Sequence, residues 1–141
     1  MKEPSKRLKE IGLKVTPQRL AILEIIKGDR THPSAENIYD RISRKYPGLS
    51  FATVYSTLSK LVGAGEIQEL DIDPNKKRFD PYTSVHCHFY CKTCKKVYDV
   101  DYDSSLTPGI KKIGGHQIDS IQLNFKGVCK HCTHKWGERK K

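Results

Sequence analysis

The sequence predicts an α+β protein in two parts: a helical N-terminal half that closes with a β-hairpin, and a C-terminal half that carries metal ligands. Apolar residues recur at helical spacing between residues 16 and 64. Two short segments of alternating polarity follow, separated by a turn. All five cysteines come later, and four of them form two closely spaced pairs. We therefore expect two domains, residues 1–82 and residues 83–141.

Composition and charge narrow the possible functions. With 36% hydrophobic and 30% charged residues, the chain of 141 residues has a globular rather than a disordered composition. Its most apolar stretch, residues 20–26, is too short to span a bilayer, and the N-terminus lacks the apolar core of a signal peptide. We therefore expect a cytoplasmic protein without a membrane partner. The formal net charge of +10 favours a polyanionic partner, although a solvated basic surface would give the same excess.

Three helices are predicted in the N-terminal half. Thr16 can cap the first, with Pro17 at a position where no amide hydrogen bond is needed, and the helix ends near Gly28. Because this helix is apolar nearly all round, it should lie at the centre of the domain. Ser34 can cap the second helix, which should end at Pro47-Gly48.

The third predicted helix has a face suited to the major groove of DNA. Ser50 caps it, and it should run from Phe51 to Ala64, with an apolar stripe on one side. The opposite side is small and polar with one cation, and it consists mainly of Thr53, Ser56 and Lys60. Such a surface lets the helix backbone approach the bases closely, although small polar residues also cover ordinary solvent-exposed faces.

A β-hairpin should follow the third helix. Residues 66–72 alternate as a strand, residues 73–75 form a turn, and residues 76–80 form a second short strand. Three helices and then a hairpin is the order of a winged helix. In that arrangement the third helix enters a groove of double-stranded DNA, while the hairpin contacts phosphate through Lys76, Lys77 and Arg78.

Two cysteine pairs predict a structural zinc site. Cys91 and Cys94 are separated by two residues, as are Cys129 and Cys132, and 34 residues lie between the pairs. Each pair can bind one side of a tetrahedral Zn²⁺ from a tight turn, and four thiolates leave no position for a substrate. The site would therefore be structural rather than catalytic. Two disulfides, which a cytosolic location disfavours, or a redox pair are the alternatives.

A second, looser group of ligands surrounds a short His-Cys-His segment. Alternation along a strand puts His86 and His88 on one face and Cys87 on the other. Asp80, at the end of the hairpin, and Asp99, on the strand after the zinc turn, are the nearby carboxylates. Two histidines with two aspartates suit Fe²⁺, Mn²⁺ or Zn²⁺ of modest affinity. Paired surface histidines with solvated carboxylates are the commoner explanation of such a pattern.

The chain resembles the ferric uptake regulator family in four segments: Gly12–Arg19, His32–Ala35, Ala52–Tyr55 and the His-x-His-x2-Cys-x2-Cys run that begins at His86. These motifs follow the family's order, and the resemblance covers nearly the whole chain. The resemblance implies an N-terminal winged-helix DNA-binding domain joined by a hinge to a small C-terminal α/β dimerisation domain with a structural zinc site. It also implies a homodimer that binds palindromic operators and regulates transcription, and no enzymatic activity.

The resemblance also assigns residues to sites. A regulatory ion, Fe²⁺ or Mn²⁺, would lie at the hinge and fix the orientation of the winged helices. Its ligands would be His32, Asp80, His86, His88 and Asp99. Spacing alone would not have nominated His32. The four cysteines match the family's structural zinc site, Lys14 and Arg19 match basic positions near DNA, and Tyr55 matches a tyrosine of the recognition helix.

Within the family, the resemblance favours the peroxide-sensing branch. Asp99 stands where the iron-sensing branch usually carries Glu and the peroxide-sensing branch carries Asp. The ligands of an additional glutamate- and histidine-rich site are replaced here, by Val85, Cys87 and Ile121. In the peroxide-sensing branch, bound Fe²⁺ reacts with hydrogen peroxide and a ligand histidine is oxidised. The residues expected to be oxidised are His32 and His86.

Other functions stay open on the sequence. The protein could regulate iron, manganese or zinc uptake without sensing peroxide, and Cys87 would favour zinc if it acted as a soft ligand. Ser56 replaces the Arg or Asn often found at that position, which leaves the operator sequence open. A metalloenzyme is disfavoured because the sequence has no nucleophile motif and no Gly-rich phosphate loop. A zinc-ribbon interaction module would bind neither DNA nor a second metal.

Overall fold

The computed structural model describes residues 3–83, 87–101, 109–119 and 121–139, with side chains described as far as residue 134. Internal contacts group the chain into two compact units, Met1–Thr83 and Ser84–Lys141. No helix within the described ranges is long and apolar enough to cross a membrane.

Four helices form most of the N-terminal unit, and three of them were predicted. Their bounds are Pro4–Glu10 (α1), Pro17–Ile26 (α2), Ala35–Ser43 (α3) and Phe51–Gly63 (α4). The three predicted caps are confirmed: the side chains of Thr16, Ser34 and Ser50 accept hydrogen bonds from backbone N–H groups in the first turns of α2, α3 and α4. The helix α3 ends at Ser43, earlier than Pro47-Gly48, and the backbone continues as a turn.

The core of the N-terminal unit surrounds α2. This helix packs against α1, α3 and α4, and the buried side chains at the contact include Ile22, Ile38 and Leu58. The helix α1 was not predicted, because seven residues give little helical periodicity. Its stability comes instead from tertiary contacts: Leu8 is fully buried, and Arg7 Nη2 lies 2.6 Å from Glu66 Oε2.

The predicted hairpin is present, but its strands are short. Gln68–Leu70 (β1) pairs antiparallel with Arg78–Asp80 (β2), and Glu69 lies opposite Phe79. The other edge of β2 meets the residues that precede α3. There the Phe79 N–H donates to the Pro33 carbonyl at 2.9 Å, and Ser34 forms a β-bridge with Arg78. The unit is therefore a winged helix with its wing hydrogen-bonded to the start of α3.

Strands of the C-terminal unit form a small sheet and a separate hairpin. The sheet has the order β4-β3-β7, where Cys87–Cys91 (β3) pairs antiparallel with Val97–Val100 (β4) and parallel with Asn124–Gly127 (β7). Lys112–Ile113 (β5) and His116–Gln117 (β6) form the hairpin. Its turn is Gly114-Gly115, where φ values of 54° and 81° favour glycine at both positions.

The chain after Cys129 differs from the prediction. A tight turn was expected at Cys129 and Cys132, whereas Lys130–Arg139 forms a helix, α5. Residues three apart lie on the same side of a helical turn, so the helix brings Cys129 and Cys132 together just as a turn would. The spacing therefore identified the pair without distinguishing between the two local structures.

We expect the substitution Ser34→Ala to destabilise the N-terminal unit. Ser34 is fully buried, its Oγ accepts from the Asn37 N–H at 3.1 Å, and Asn37 Oδ1 accepts in return from the Ser34 N–H. Loss of this capping box should lower the free energy of unfolding by about 1 to 2 kcal/mol, measured by urea denaturation. Ser43→Ala removes a half-buried serine at the end of the same helix, whose Oγ donates to the Asp40 carbonyl at 3.3 Å, and is the matched control. Equal losses in both variants would contradict the capping explanation.

Candidate metal centres and DNA-binding surface

Four cysteine sulfurs converge in the C-terminal unit. Cys91 ends β3, Cys94 lies in the turn before β4, Cys129 directly precedes α5, and Cys132 lies in its first turn. The four sulfur atoms all lie within 4.8 Å of one another, and Cys94 Sγ is 3.8 Å from Cys129 Sγ. Sulfurs that bind one tetrahedral Zn²⁺ at about 2.3 Å are separated by about 3.8 Å, so the group fits a closed shell.

Hydrogen bonds to the sulfurs hold this group in place. The backbone N–H groups of Cys94 and Cys129 donate to Cys91 Sγ at 3.4 and 3.3 Å. The hydroxyl of Tyr98, on β4, donates to Cys129 Sγ at 3.5 Å. Sequence reasoning missed Tyr98. Its place four residues after Cys94, on the strand next to β3, is the signal that could have identified it.

The pKa values of the thiols show why this group suits a cation. Burial acts to raise the pKa of Cys91, but backbone N–H donors outweigh burial and lower the pKa to about 6. Donation from Tyr98 lowers the pKa of Cys129. Burial, together with hydrogen bonds to the other cysteines, raises the pKa of Cys132 to about 12. Four adjacent thiolates repel one another, so all four ionise together only around a cation, as thiolate coordination of Zn²⁺ requires.

His32 and Asp80 form a buried pair in the N-terminal unit. His32 Nε2 lies 3.5 Å from Asp80 Oδ2, and the two side chains are 1% and 0% exposed. The other oxygen of Asp80, Oδ1, accepts from the Tyr82 N–H at 2.9 Å, which orients the carboxylate. The His32 backbone has φ 57°, in the left-handed region that side-chain-bearing residues seldom occupy. Such a conformation in a buried histidine is typical of functional positions.

His88 and Asp99 form a similar pair in the C-terminal unit. They lie opposite each other on β3 and β4, with His88 Nε2 3.4 Å from Asp99 Oδ1. The side chain of His88 is 4% exposed and that of Asp99 is 25% exposed. The expected strand positions of both residues are confirmed.

Each of these two pairs has nearly the spacing of adjacent ligands on one ion. Ligands bonded at about 2.1 Å to an octahedral ion lie about 3 Å apart, slightly closer than the separations in both pairs. An imidazole nitrogen beside a carboxylate oxygen suits Fe²⁺, Mn²⁺ or Zn²⁺. We refer to His32 with Asp80, and to His88 with Asp99, as the two nitrogen–oxygen half-sites.

Two other candidate ligands of the regulatory ion, His86 and Cys87, are not part of either half-site. His86 lies outside the described residues, as does Val85. Cys87 is buried, with 1% exposure, and does not belong to the four-cysteine group. Alternation along β3 directs it away from the face that carries His88.

The predicted DNA-contacting residues of α4 differ in exposure. Tyr55, Ser56 and Lys60 are exposed, whereas Thr53 is half-buried. The Thr53 hydroxyl lies 2.9 Å from Ser50 Oγ, and the Thr53 carbonyl accepts from Ser56 Oγ at 3.1 Å. Thr53 therefore takes part in the helix cap as well as being a predicted DNA contact.

Aromatic packing supports Tyr55. Its ring lies 6.2 Å from that of Phe51, which in turn meets the ring of Tyr39 edge-on at 5.8 Å. Phe51 and Tyr55 are 39% and 40% exposed, so the end of this aromatic row faces solvent. Sequence reasoning had not nominated Phe51 for this supporting position. A one-turn separation on α4 places the two rings together.

The basic residues near the start of α2 and on the wing have different surroundings. Lys14 is exposed, and Arg19 Nη1 donates to its carbonyl at 2.8 Å, so Arg19 shapes the loop that presents Lys14. Lys76 and Lys77 are exposed, as expected for phosphate contacts. Arg78 is not: its side chain is 14% exposed and pairs with Asp73. The expectation that Arg78 contacts phosphate is therefore wrong for this conformation.

Comparison with known proteins gives consistent similarities. A family model described as the ferric uptake regulator family matches residues 10–126. The peroxide operon regulator of Bacillus subtilis is 36% identical, over 96% of this chain and 94% of that protein.

Solved structures with similar folds include a peroxide stress regulator and a ferric uptake regulator. The Campylobacter jejuni peroxide stress regulator superposes with a TM-score of 0.69 at 30% identity, covering 93% of this chain and 100% of that one. The Vibrio cholerae ferric uptake regulator superposes with a TM-score of 0.74 at 29% identity, covering 90% of this chain and 100% of that one.

We expect Tyr98→Phe to weaken zinc retention without unfolding the protein. The variant keeps the ring but loses the donor to Cys129 Sγ, and supporting hydrogen bonds of this kind are worth about ten- to hundredfold in metal affinity. Transfer of zinc from reconstituted protein to a chromogenic chelator should be about tenfold faster than in wild type. Tyr46→Phe, in the other unit, is the control and should not change the rate. An unchanged rate in Tyr98→Phe would show that the hydroxyl does not support the site.

Proposed function

Since the chain belongs to the ferric uptake regulator family, we propose that it is a metal-dependent DNA-binding repressor that senses hydrogen peroxide. The observation that carries the proposal is the pair of nitrogen–oxygen half-sites, in which one histidine and one aspartate lie about as far apart as adjacent metal ligands. The names of the Bacillus subtilis and Campylobacter jejuni relatives support the peroxide assignment.

The four-cysteine group holds one structural Zn²⁺ in this proposal. Four sulfurs within 4.8 Å of one another fill a tetrahedral shell, which leaves no position for a substrate. The cysteines come from β3, the following turn and the start of α5, so zinc cross-links three segments of the C-terminal unit. Binding of the ion is therefore coupled to folding of the unit, which we take to form the dimer.

A regulatory Fe²⁺ or Mn²⁺ binds to both half-sites in this proposal. The ligands are His32, Asp80, His86, His88 and Asp99, as the family resemblance implies. Nitrogen and carboxylate oxygen without thiolate favour these ions over tightly bound Zn²⁺. Since the ligands come from both halves of the sequence, the ion joins the winged helix to the dimerisation domain and selects the dimer geometry that fits a palindromic operator.

The DNA contacts come from three parts of the winged helix. Tyr55, Ser56 and Lys60 present the exposed face of α4 to the bases, together with Thr53. Lys14 contacts phosphate from the loop before α2, and Arg19 holds that loop through the Lys14 carbonyl. The exposed lysines of the wing tip add further phosphate contacts.

In this proposal peroxide is sensed through oxidation of a ligand histidine. A bound Fe²⁺ would supply the redox chemistry, in which hydrogen peroxide adds one of its oxygen atoms to an imidazole carbon and the other leaves as water, so that the histidine is oxidised by two electrons. The His32 side chain is 1% exposed, so oxidants in bulk solvent are excluded from it, whereas an oxidant formed at the site is in contact with it. Addition of one oxygen atom to the imidazole of His32 or His86 removes a ligand, weakens metal binding and releases the repressor from DNA.

A metal-uptake regulator without peroxide sensing is the second candidate. The fold similarity to the Vibrio cholerae ferric uptake regulator favours it, since that structure superposes with a TM-score of 0.74, against 0.69 for the Campylobacter jejuni peroxide stress regulator. The same half-sites would hold the regulatory ion in either case: Fe²⁺ or Mn²⁺ in a peroxide sensor, and Fe²⁺, Mn²⁺ or Zn²⁺ in an uptake regulator. The two candidates differ in the fate of the histidines when the iron-loaded protein meets peroxide.

We expect Tyr55→Ala to lose sequence-specific DNA binding and Lys14→Ala to weaken binding to all duplexes. A suitable duplex can be selected from a random-sequence pool with the Mn²⁺-loaded wild type. Loss of one phosphate contact should reduce the slope of log K against log salt by about one unit in Lys14→Ala, measured by fluorescence anisotropy. Circular dichroism provides the folding control. Tight specific binding by protein that contains only structural zinc would contradict a metal-dependent switch.

We expect brief treatment with micromolar peroxide to add one oxygen atom to His32 or His86 in the Fe²⁺-loaded protein. Peptide mass spectrometry locates the oxygen, and the Mn²⁺-loaded protein, which is far less reactive toward peroxide, is the matched control. Asp99→Glu should keep metal-dependent DNA binding but respond less, because a longer carboxylate occupies more of the coordination sphere. Unmodified histidines after loss of DNA binding, or prior oxidation of Cys87, would exclude the histidine mechanism.

A further inference from the structure

The guanidinium of Arg78 connects the backbone of His32 to the turn at the tip of the wing. Arg78 Nη1 donates to the carbonyl oxygen of His32 at 3.2 Å. Arg78 Nε and Nη2 lie 3.0 and 2.9 Å from Asp73 Oδ2. Asp73 Oδ1 accepts in turn from the Asn75 N–H at 2.9 Å, which closes the turn. One side chain therefore joins a proposed metal ligand to the part of the wing that carries its exposed lysines.

This connection is shielded from water. The side chain of Arg78 is 14% exposed and that of Asp73 is 4% exposed. Hydrogen bonds between a guanidinium and a carboxylate are shorter and stronger than those between neutral groups, and burial reduces their screening by salt. A change in the position of the His32 carbonyl thus reaches Asp73 through bonds that resist stretching.

The ring and the backbone carbonyl of His32 both contact residues of β2, the second strand of the wing. Its ring lies beside Asp80 and its carbonyl accepts from Arg78, and both of these residues belong to β2. Between them, the Phe79 N–H donates to the carbonyl of Pro33. An ion that draws the His32 ring and the Asp80 carboxylate toward itself therefore acts on β2 at two points.

We propose that Arg78 is a positioning residue that transmits metal occupancy at His32 and Asp80 to the wing tip and thereby sets the affinity for DNA. The inference rests on the proposed function, since it requires a regulatory ion at this half-site. Arg78 is neither a metal ligand nor a phosphate contact. The exposed Lys76 and Lys77 make the phosphate contacts, and Arg78 controls where they lie.

A purely stabilising role for Arg78 gives a different set of measurements. If Arg78 only stabilises the wing, its loss weakens DNA binding by the same factor with and without the regulatory ion. If Arg78 transmits occupancy, the ratio of the two DNA affinities falls, because the ion no longer changes the wing. This ratio is the coupling factor between metal and DNA, and such factors are typically about 5- to 150-fold.

The test compares Arg78→Ala and Arg78→Lys with the control Lys77→Ala in the full-length, zinc-containing protein. Lys retains the positive charge beside Asp73, but it lacks the fork of donors that serves Asp73 and the His32 carbonyl together. Affinity for the selected duplex is measured with and without Mn²⁺, and Mn²⁺ binding is measured without DNA. Amide hydrogen exchange at Asn75, in protein without Mn²⁺, reports whether the wing turn has loosened.

Both Arg78 variants should lower the coupling factor by about tenfold, whereas Lys77→Ala should weaken DNA binding and leave the factor unchanged. Mn²⁺ binding without DNA should change less than the factor does, and the Asn75 amide should exchange faster in both Arg78 variants. Folded Arg78 variants that keep the wild-type factor would overturn the inference alone. A wild-type protein whose DNA affinity does not depend on Mn²⁺ would overturn the proposed function, and this inference with it.

Discussion

Hydrogen bonding between β2 and the residues before α3 holds the N-terminal unit in the form that its proposed function needs. The Phe79 N–H donates to the Pro33 carbonyl, and Ser34 bridges to Arg78. These contacts fix the wing to the start of α3, which packs against α2 and α4. They also bring His32 beside Asp80, 48 residues later in the chain. Without this pairing the wing would be an isolated two-stranded hairpin, which is marginally stable in water.

The candidate metal ligands of this protein are of two chemical kinds. The four-cysteine group is soft and closed, and its sulfurs accept hydrogen bonds from backbone N–H groups and from Tyr98. The half-sites combine imidazole nitrogen with carboxylate oxygen, and Asp99 is 25% exposed. A closed thiolate shell retains its ion, whereas a harder and more open set of ligands allows exchange and reaction. The proposed structural and regulatory ions therefore use different residues of this chain.

The family relationship shows the general class of the protein, whereas the stimulus it senses has to be argued from individual residues. Similarity over residues 10–126 establishes the family, and with it the winged helix and the metal-responsive class. The peroxide assignment is a finer proposal, and it rests on Asp99 and on the similarity to proteins named as peroxide regulators. In that proposal the burial of His32 would limit its oxidation to an oxidant formed beside the ring.

The sequence by itself determined the features that depend on neighbouring residues. Thr16, Ser34 and Ser50 marked the helix starts through their side-chain oxygens, and the Cys-x2-Cys spacing identified all four sulfurs of the zinc group. Both signals are local: a cap acts within one turn, and a two-residue spacer brings two thiols to one ion in a turn or in a helix. The positions of His88 and Asp99 followed in the same way from strand alternation.

Only the tertiary structure decided which distant residues meet. The helix α1 is too short to be stable alone and depends on the burial of Leu8. Arg78, expected at the surface with its lysine neighbours, turns inward because Asp73 and the His32 carbonyl accept its hydrogen bonds. Tyr98 reaches Cys129 only because β4 lies against β3. These contacts form only when separate elements pack together in the folded protein. No pattern of residues along the chain therefore predicted them.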